Sequence, residues 1–349
     1  MRILHVITTL FTGGAERLMV DLLPRFKAAG HEVELLVFHS ADTPFAEKLR
    51  KTDIKIHFLN TTRVYSPLNI FRLKKFLNNY DVIHTHNTAC QYYVAIAAKL
   101  FGCKAKLFTT EHNTTNRRRD MPLMKKIDIC MYNAYSQIIS VSDATTENLR
   151  KHIGDSHNIV TIHNGINLNR FTHNPNLDPN TVKLVMVAAF RPQKDQDTVV
   201  RAMKLLPENV KLILAGDGER RPVVTKLAED LGLKDRVTFT GNSNIISEIL
   251  MSCNIVVLSS HWEGFGLAAV EGLAAGRPIV ASNVAGLSDI VGDAGLFFEK
   301  ENEKELAAKV MELIENKELY ADLSAKALAR AKLFDIDITA KKYLELYEA

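Results

Sequence analysis

Glu263 and Glu271 stand eight positions apart, with Gly264, Phe265, Gly266 and Leu267 between them. Residues 254–260 ahead of them read as a short buried strand. Residues 267–275 suit a helix, which Gly276 and Pro278 then stop. A strand, a glycine turn and a helix leave backbone N–H groups at the helix start, where an anion is favoured. The helix dipole contributes only about 0.3–1 kcal/mol there, so convergent side chains must supply specificity. Two carboxylates beside an anion cradle suit hydroxyl ligands, one from a sugar and one from a ribose. The plainer alternative is two solvated helix-end carboxylates beside a packing glycine.

Cations at the carboxyl end of a strand can stabilise an anionic group whose charge builds up there. Arg191 and Lys194 stand where the strand pattern of 182–195 runs into a turn. Charge-assisted hydrogen bonds from such groups are worth about 1.5–3 kcal/mol each. Further glycine turns follow other strands: Gly13-Gly14 after residues 2–8, and Gly216-Asp217-Gly218 after residues 210–215. No G-x-G-x-x-G is present, so the first turn is not read as a dinucleotide site. His84, His86 and His112 gather near the ends of two more strands. A metal reading of these three is open, but no further ligand pair with zinc spacing accompanies them. Packed or capping histidines are the other option.

The elements that must position these groups alternate along the chain. Strands are expected at 2–8, 32–38, 54–60, 81–86, 105–112, 137–143 and from 158, with helices between them, including one over 67–80. The same rhythm resumes from 182 and closes with helices near 303–315 and 318–332. Alternation of this kind implies parallel sheets covered on both faces, with functional groups at the carboxyl ends of strands. A length of 349 residues suits two domains, and 46% apolar with 24% charged residues suits filled globular cores. No run of about 18 apolar residues and no secretory leader pattern is seen. The four cysteines lack C-x-x-C spacing and are expected to be reduced, in the cytoplasm. Net charge is uneven: residues 1–175 carry +9 and the remainder −5. The densest basic cluster is Arg117, Arg118, Arg119, Lys125 and Lys126, interleaved with Met and Ile. It reads as a contact for an anionic membrane surface or a lipid diphosphate. A solvated loop is the alternative, and nucleic acid is disfavoured because aromatic interleaving is missing.

The E-x7-E stretch with its internal GFG resembles the signature of the retaining GT-B glycosyltransferases of family 4. DVIHTHN, the TEHN strand end, the GGAE turn and the Asn164-Gly165 turn match that family's order of motifs. The resemblance implies an α/β GT-B fold, with two Rossmann-like parallel-sheet domains facing a central cleft. Residues 1–170 with a C-terminal helix at 335–349 would bind the acceptor, and residues 171–334 the donor. It implies that Glu263 contacts the donor sugar and Glu271 the ribose. His112 would face the sugar near its reacting carbon, and not as a general base. Lys194 would stabilise the leaving group. The family's usual Arg position is Ala189 here, and Arg191 stands in for it. Gly14, Asn164, Gly216, Gly218, Thr240, Gly264, Phe265, Gly266 and Leu267 would border the donor. Gly13, His86 and the basic cluster would serve the acceptor or the membrane. The implied reaction moves a sugar, with retention, from a nucleotide-diphosphate sugar (a UDP-sugar favoured) to a glycan or lipid-linked acceptor. No metal or other cofactor would be required. The expected place is the cytoplasm, or the inner face of the membrane. Two other readings are an epimerase or hydrolase on the same fold, and a non-catalytic two-lobed sugar-binding protein.

Overall fold

The computed structural model describes residues 1–11, 13–39, 42–59, 63–113, 121–172, 177–178, 180–243 and 245–349. The chain forms two compact units, Met1–Gly165 with Ile336–Ala349, and Ile166–Asp335.

The first unit runs β1 (Arg2–Ile7), α1 (Gly14–Ala28), β2 (Glu32–Val37), α2 (Pro44–Arg50), β3 (Lys55–Phe58), α3 (Leu68–Leu73), β4 (Val82–His86), α4 (Thr88–Phe101), β5 (Lys106–Glu111), α5 (Pro122–Tyr132), β6 (Gln137–Ser140), α6 (Asp143–Ile153) and β7 (Ile159–Thr161). Its seven strands lie in the order β3-β2-β1-β4-β5-β6-β7, and every pairing is parallel. The alternation of β1 divides two cores. Ile3 and Ile7 face α1 and α2, whereas Leu4 and Val6 face the layer built by α3 to α6. Both faces are covered, which is why these strands read as near-continuous apolar runs.

The helix expected over 67–80 covers only Leu68–Leu73. Beyond it the backbone tightens into three-residue turns, with Phe76 N–H bonding Leu73 O at 2.9 Å and Asn79 N–H bonding Phe76 O at 3.3 Å. The tighter winding keeps Leu73, Phe76, Leu77 and Tyr80 all turned into the core.

The second unit runs β8 (Val182–Val187), α7 (Gln196–Ala202), β9 (Val210–Ala215), α8 (Arg221–Asp230), β10 (Val237–Gly241), α9 (Ile246–Met251), β11 (Ile255–Leu258), α10 (Leu267–Ala274), β12 (Ile279–Ser282), α11 (Leu287–Val291), β13 (Gly295–Phe298), α12 (Glu303–Glu315) and α13 (Lys317–Ala331). Six parallel strands take the order β10-β9-β8-β11-β12-β13. Asn302 and Asn316 cap α12 and α13 by accepting from Glu305 N–H and Leu319 N–H, each cap worth about 1 kcal/mol. The last helix, α14 (Ile336–Glu348), belongs to the first unit, where Tyr343 and Tyr347 enter the same core as Phe26 of α1. Among the described residues no helix is long and apolar enough to cross a membrane.

Each sheet reverses its strand order once, between β1 and β4 and between β8 and β11. In open parallel sheets, ligands bind beyond the carboxyl ends of the strands at such a reversal.

Candidate active site

In the second unit, the turns that follow β8 and β11 are laced together at the reversal point. His261 N–H donates to Gln193 O at 2.8 Å, and the Gln193 side chain donates to Trp262 O at 2.7 Å. The Ser259 hydroxyl donates to the carbonyls of Lys194 and Asp195 at 2.9 and 2.7 Å. Asp195 holds a left-handed backbone at φ 49° and caps α7 through Thr198. This lacing fixes the direction of the Lys194 side chain. Its ammonium forms an ion pair with the Glu263 carboxylate, which also accepts from the Ser260 hydroxyl at 2.8 Å. Glu263 is buried and Lys194 half-buried, so their pairing is only partly screened by water.

Gly266 caps α10 in the left-handed region at φ 79° with no side-chain cap bond, and the helix start follows directly on the turn that carries Glu263. Glu271, one turn into α10, lies 3.8 Å from the Arg170 guanidinium, and both side chains are largely covered. Arg170 accompanies Glu271 without any signal in the spacing of the sequence. The Phe265 side chain packs on Phe334 with ring centroids 5.7 Å apart, so only its backbone is left to meet a ligand. Gly264 lies between Glu263 and Phe265 in the same turn. Arg191 is exposed, just before the three-residue turn that carries Lys194. Gly216 and Gly218 press against the backbone of Ala188 and Phe190, and so shape the turn that bears Arg191 and Lys194. Thr240 is exposed at the end of β10, on the outer edge of the sheet.

In the first unit, Gly13 and Gly14 begin α1 beyond β1, beside Glu16. Burial raises the pKa of Glu16, and its carboxylate accepts from the Thr9 hydroxyl at 3.2 Å. Across the reversal point, at the end of β4, Asn87 takes a strained φ of 70°. His86 at that strand end is fully buried. Its Nδ1 lies 3.1 Å from His112 Nε2, and its Nε2 lies 2.9 Å from His5 Nδ1. His84 sits one step back on the same strand face and is held by Thr110 and Tyr347. Asn164 is buried, and its Oδ1 has no hydrogen-bond partner among the described residues. Lys125 and Lys126 are exposed on α5, while Arg117, Arg118 and Arg119 lie outside the described residues.

The three nitrogens that approach one another among the described residues belong to His5, His84 and His86, not to the His84, His86 and His112 of the metal reading. Both nitrogens of His84 are already taken by hydroxyl groups, so the cluster is built as a hydrogen-bonded stack. His5 was missed in sequence. The only available signal was its place on the inward face of β1, opposite His84 in register.

Burial drives these imidazoles toward the neutral form. His5 is pushed down to about 3 and His112 to about 4, and His84 and His86 well below the ordinary value. The unfolded chain therefore binds more protons than the folded one below about pH 6.5. Stability is full above that value and is lost as the pH falls, by up to about 1.4 kcal/mol per pH unit for each such histidine. Melting temperatures measured from neutrality into the acid range are expected to fall with this slope. His5→Phe is expected to flatten it; an unchanged slope would mean that the stack is not its source.

The family model described as "Glycosyl transferases group 1" matches residues 168–330, and the one described as "Glycosyltransferase Family 4" matches residues 12–170. The chain is 25% identical to the N-acetyl-alpha-D-glucosaminyl L-malate synthase of Bacillus anthracis, across 96% of this chain and 93% of that protein. It is likewise 25% identical to the N-acetylgalactosamine-N,N'-diacetylbacillosaminyl-diphospho-undecaprenol 4-alpha-N-acetylgalactosaminyltransferase of Campylobacter jejuni, across 97% and 98%. The solved structure of Anabaena Alr3699/HepE in complex with UDP and glucose shares the fold at a TM-score of 0.89 and 21% identity, covering 100% of this chain and 99% of that one. With two Rossmann-like domains, and matches that run from residue 12 to residue 330, the chain belongs to the family 4 (group 1) GT-B glycosyltransferases.

Proposed function

We propose that this glycosyltransferase moves a sugar, with retention of anomeric configuration, from a UDP-sugar to a glycan or lipid-linked glycan acceptor. The observation that carries the reading is the Lys194–Glu263 pair at the β8–β11 reversal point, beside the first turn of α10. An ammonium held there can take up the charge of a departing diphosphate, with Arg191 and the α10 amides adding to it. The positive charge is supplied by the chain itself, so activity without a divalent metal is part of the proposal. Glu263 accepts from a sugar hydroxyl and Glu271 from a ribose hydroxyl. Retention is read as front-face attack by an acceptor hydroxyl, whose proton passes to the leaving phosphate. UDP is favoured as the carrier because the Anabaena structure was solved with it. The Campylobacter relative is named for a diphospho-undecaprenol-linked acceptor, which supports a role in building surface glycans at the inner face of the membrane. Lys125 and Lys126 with the neighbouring basic run would then meet anionic headgroups.

The test is release of UDP from a panel of UDP-sugars, with and without lipid-linked acceptors, followed by NMR of the new anomeric centre. Release that depends on acceptor, an unchanged anomer and full activity in EDTA are expected. Equal release without acceptor would give the hydrolase reading, an inverted product would remove the retaining mechanism, and loss in EDTA would restore a metal. Binding of free sugar but of no nucleotide would turn the reading to a sugar-binding protein.

A further inference from the structure

The strand order carries β3 to β4, β5 and β6 in one direction, so the connecting helices α3, α4 and α5 lie on one face of the first sheet. Their inward side chains agree, since Leu73, Cys90, Val94 and Tyr132 share a core distinct from that under α1 and α2. Their outward side chains are unusual. Among the described residues of the first unit ten large apolar side chains are exposed, and eight of them lie on α3 to α5 or just before them. Leu68 and Phe71 on α3, Ile96 and Leu100 on α4, and Leu123 and Ile127 on α5 form one stripe per helix, at the spacing that puts side chains on one helix face. Phe71 meets Phe101 with ring centroids 5.8 Å apart, and the Lys74 ammonium lies 5.3 Å from the centre of the Phe101 ring. Next to them a groove of about 670 Å³ is lined by Phe58, Leu59, Phe71, Arg72, Lys74 and Lys75. Soluble surfaces scatter such residues singly, and eight of them gathered on one helical layer mark an interaction face.

Charge decides the partner. Among the described residues from Arg63 to Ile127 there are nine Lys and Arg against two Asp and Glu, and of those acids Glu111 is buried. Cations rimming aliphatic and aromatic tips match a bilayer interface, where the tips enter the acyl boundary and the lysines meet headgroup phosphates. A nucleic acid would give the exposed leucines and isoleucines nothing to bury against.

We propose that the outer surface of the α3–α5 layer docks on an anionic lipid bilayer. This extends the lipid-linked acceptor reading but rests on the surface alone, so failure of one leaves the other standing. The test is sedimentation with vesicles of phosphatidylcholine, with or without phosphatidylglycerol. Binding is expected only with the anionic lipid, and to weaken as salt rises. Each cation near such a surface is worth about 1 kcal/mol, or about 5-fold in affinity. Lys74→Gln/Lys75→Gln/Lys99→Gln is therefore expected to bind about 100-fold more weakly, and Phe71→Ser/Leu100→Ser to release at moderate salt. Both variants change exposed side chains, and their melting temperatures are expected to match the parent. Equal binding to both vesicle types, or a lysine variant that binds like the parent, would overturn the proposal. So would retention on an acidic polymer such as polyglutamate or DNA without vesicle binding.

A second inference comes from the histidine stack. The chain of contacts His5 Nδ1–His86 Nε2 and His86 Nδ1–His112 Nε2 can run in either direction. His5 Nε2 is buried and has no hydrogen-bond partner among the described residues. If His112 donated first, the last N–H would be orphaned there, whereas the opposite direction leaves only a bare lone pair. A buried N–H without a partner is the rarer and costlier of the two. We infer that His5 donates to His86 and His86 to His112, so that His112 keeps its proton on Nδ1. His5 and His86 are then positioning residues that present His112 as a hydrogen-bond donor at the end of β5. Long-range nitrogen–proton NMR of ¹⁵N-histidine-labelled protein at neutral pH reads this directly. A protonated Nδ1 and a bare Nε2 on His112 are expected, with that preference lost in His86→Phe. A proton on His112 Nε2, or on both nitrogens, would overturn it.

Discussion

Replacing Lys194 with alanine is expected to lower kcat by about 10²- to 10³-fold, the size of effect seen when one group stabilising transition-state charge is removed. The ammonium emerges from a turn whose backbone is fixed by Ser259, and it already rests on the Glu263 carboxylate. Little reorganisation is then needed when a diphosphate oxygen develops charge beside it. The substitution removes the charge without disturbing the turn, because Ser259 and Gln193 hold the backbone and not the side chain. Glu263 keeps its bond from Ser260, so loss of fold is not expected. Lys194→Arg retains charge but not the compact geometry of an ammonium, and an intermediate loss is expected. Steady-state kinetics with saturating donor decide the matter. A Lys194→Ala variant within threefold of the parent kcat, on the order of the scatter of ordinary surface changes, would remove this residue from leaving-group stabilisation.

Gly216→Ala is expected to be the most damaging small substitution in the second unit. Gly216 has a φ of 139°, which only glycine adopts readily. A methyl group there would run into the Ala188 carbonyl oxygen and come within 2.9 Å of its carbon. Both are backbone atoms just ahead of the turn that bears Arg191 and Lys194, so the collision cannot be relieved by a rotamer. A cost of about 3 kcal/mol or more follows from strain and collision together. That corresponds to a fall of about 6–12 °C in melting temperature for a unit of this size. Gly232→Ala is the control, since its φ of 68° is also left-handed but nothing among the described residues lies within 4 Å of the added carbon. About 1–2 kcal/mol is expected there. Equal melting temperatures for the two variants would show that the close approach to Ala188 does not matter.

The parts of this molecule that were readable in sequence are those set by local rules. The alternation of strand and helix, the glycine turn ahead of α10 and the spacing of Glu263 and Glu271 all involve neighbours in the chain. The bonds that make the site rigid join residues far apart. Lys194 and Glu263 are 69 positions apart, and the Gln193–Trp262 bond spans as many. No periodicity carries such information; only the reversal of strand order between β8 and β11 does. His5 stayed hidden because an isolated histidine in a buried strand has no distinctive neighbours, and its meaning appears only when β1 pairs with β4. The helix misjudged at 67–80 shows the opposite failure. Its apolar residues suit a helix, but the core is reached at three-residue intervals, and packing overrode local preference.

The measurement that reaches the central claim most directly is nucleotide binding followed by thermal shift. UDP, GDP, ADP and UDP-sugars would be compared on the parent protein and on Glu271→Ala, with the fluorescence of Trp262, the one tryptophan, as a second readout beside the site. A ligand at a hundred times its dissociation constant adds about 2.7 kcal/mol of stability, well above detection. Stabilisation by the uridine nucleotides is expected, with affinity falling about 10- to 100-fold in Glu271→Ala, as loss of a charged hydrogen-bond acceptor implies. No shift with any nucleotide, or the same shift in parent and variant, would contradict a donor site built on Lys194, Glu263 and Glu271.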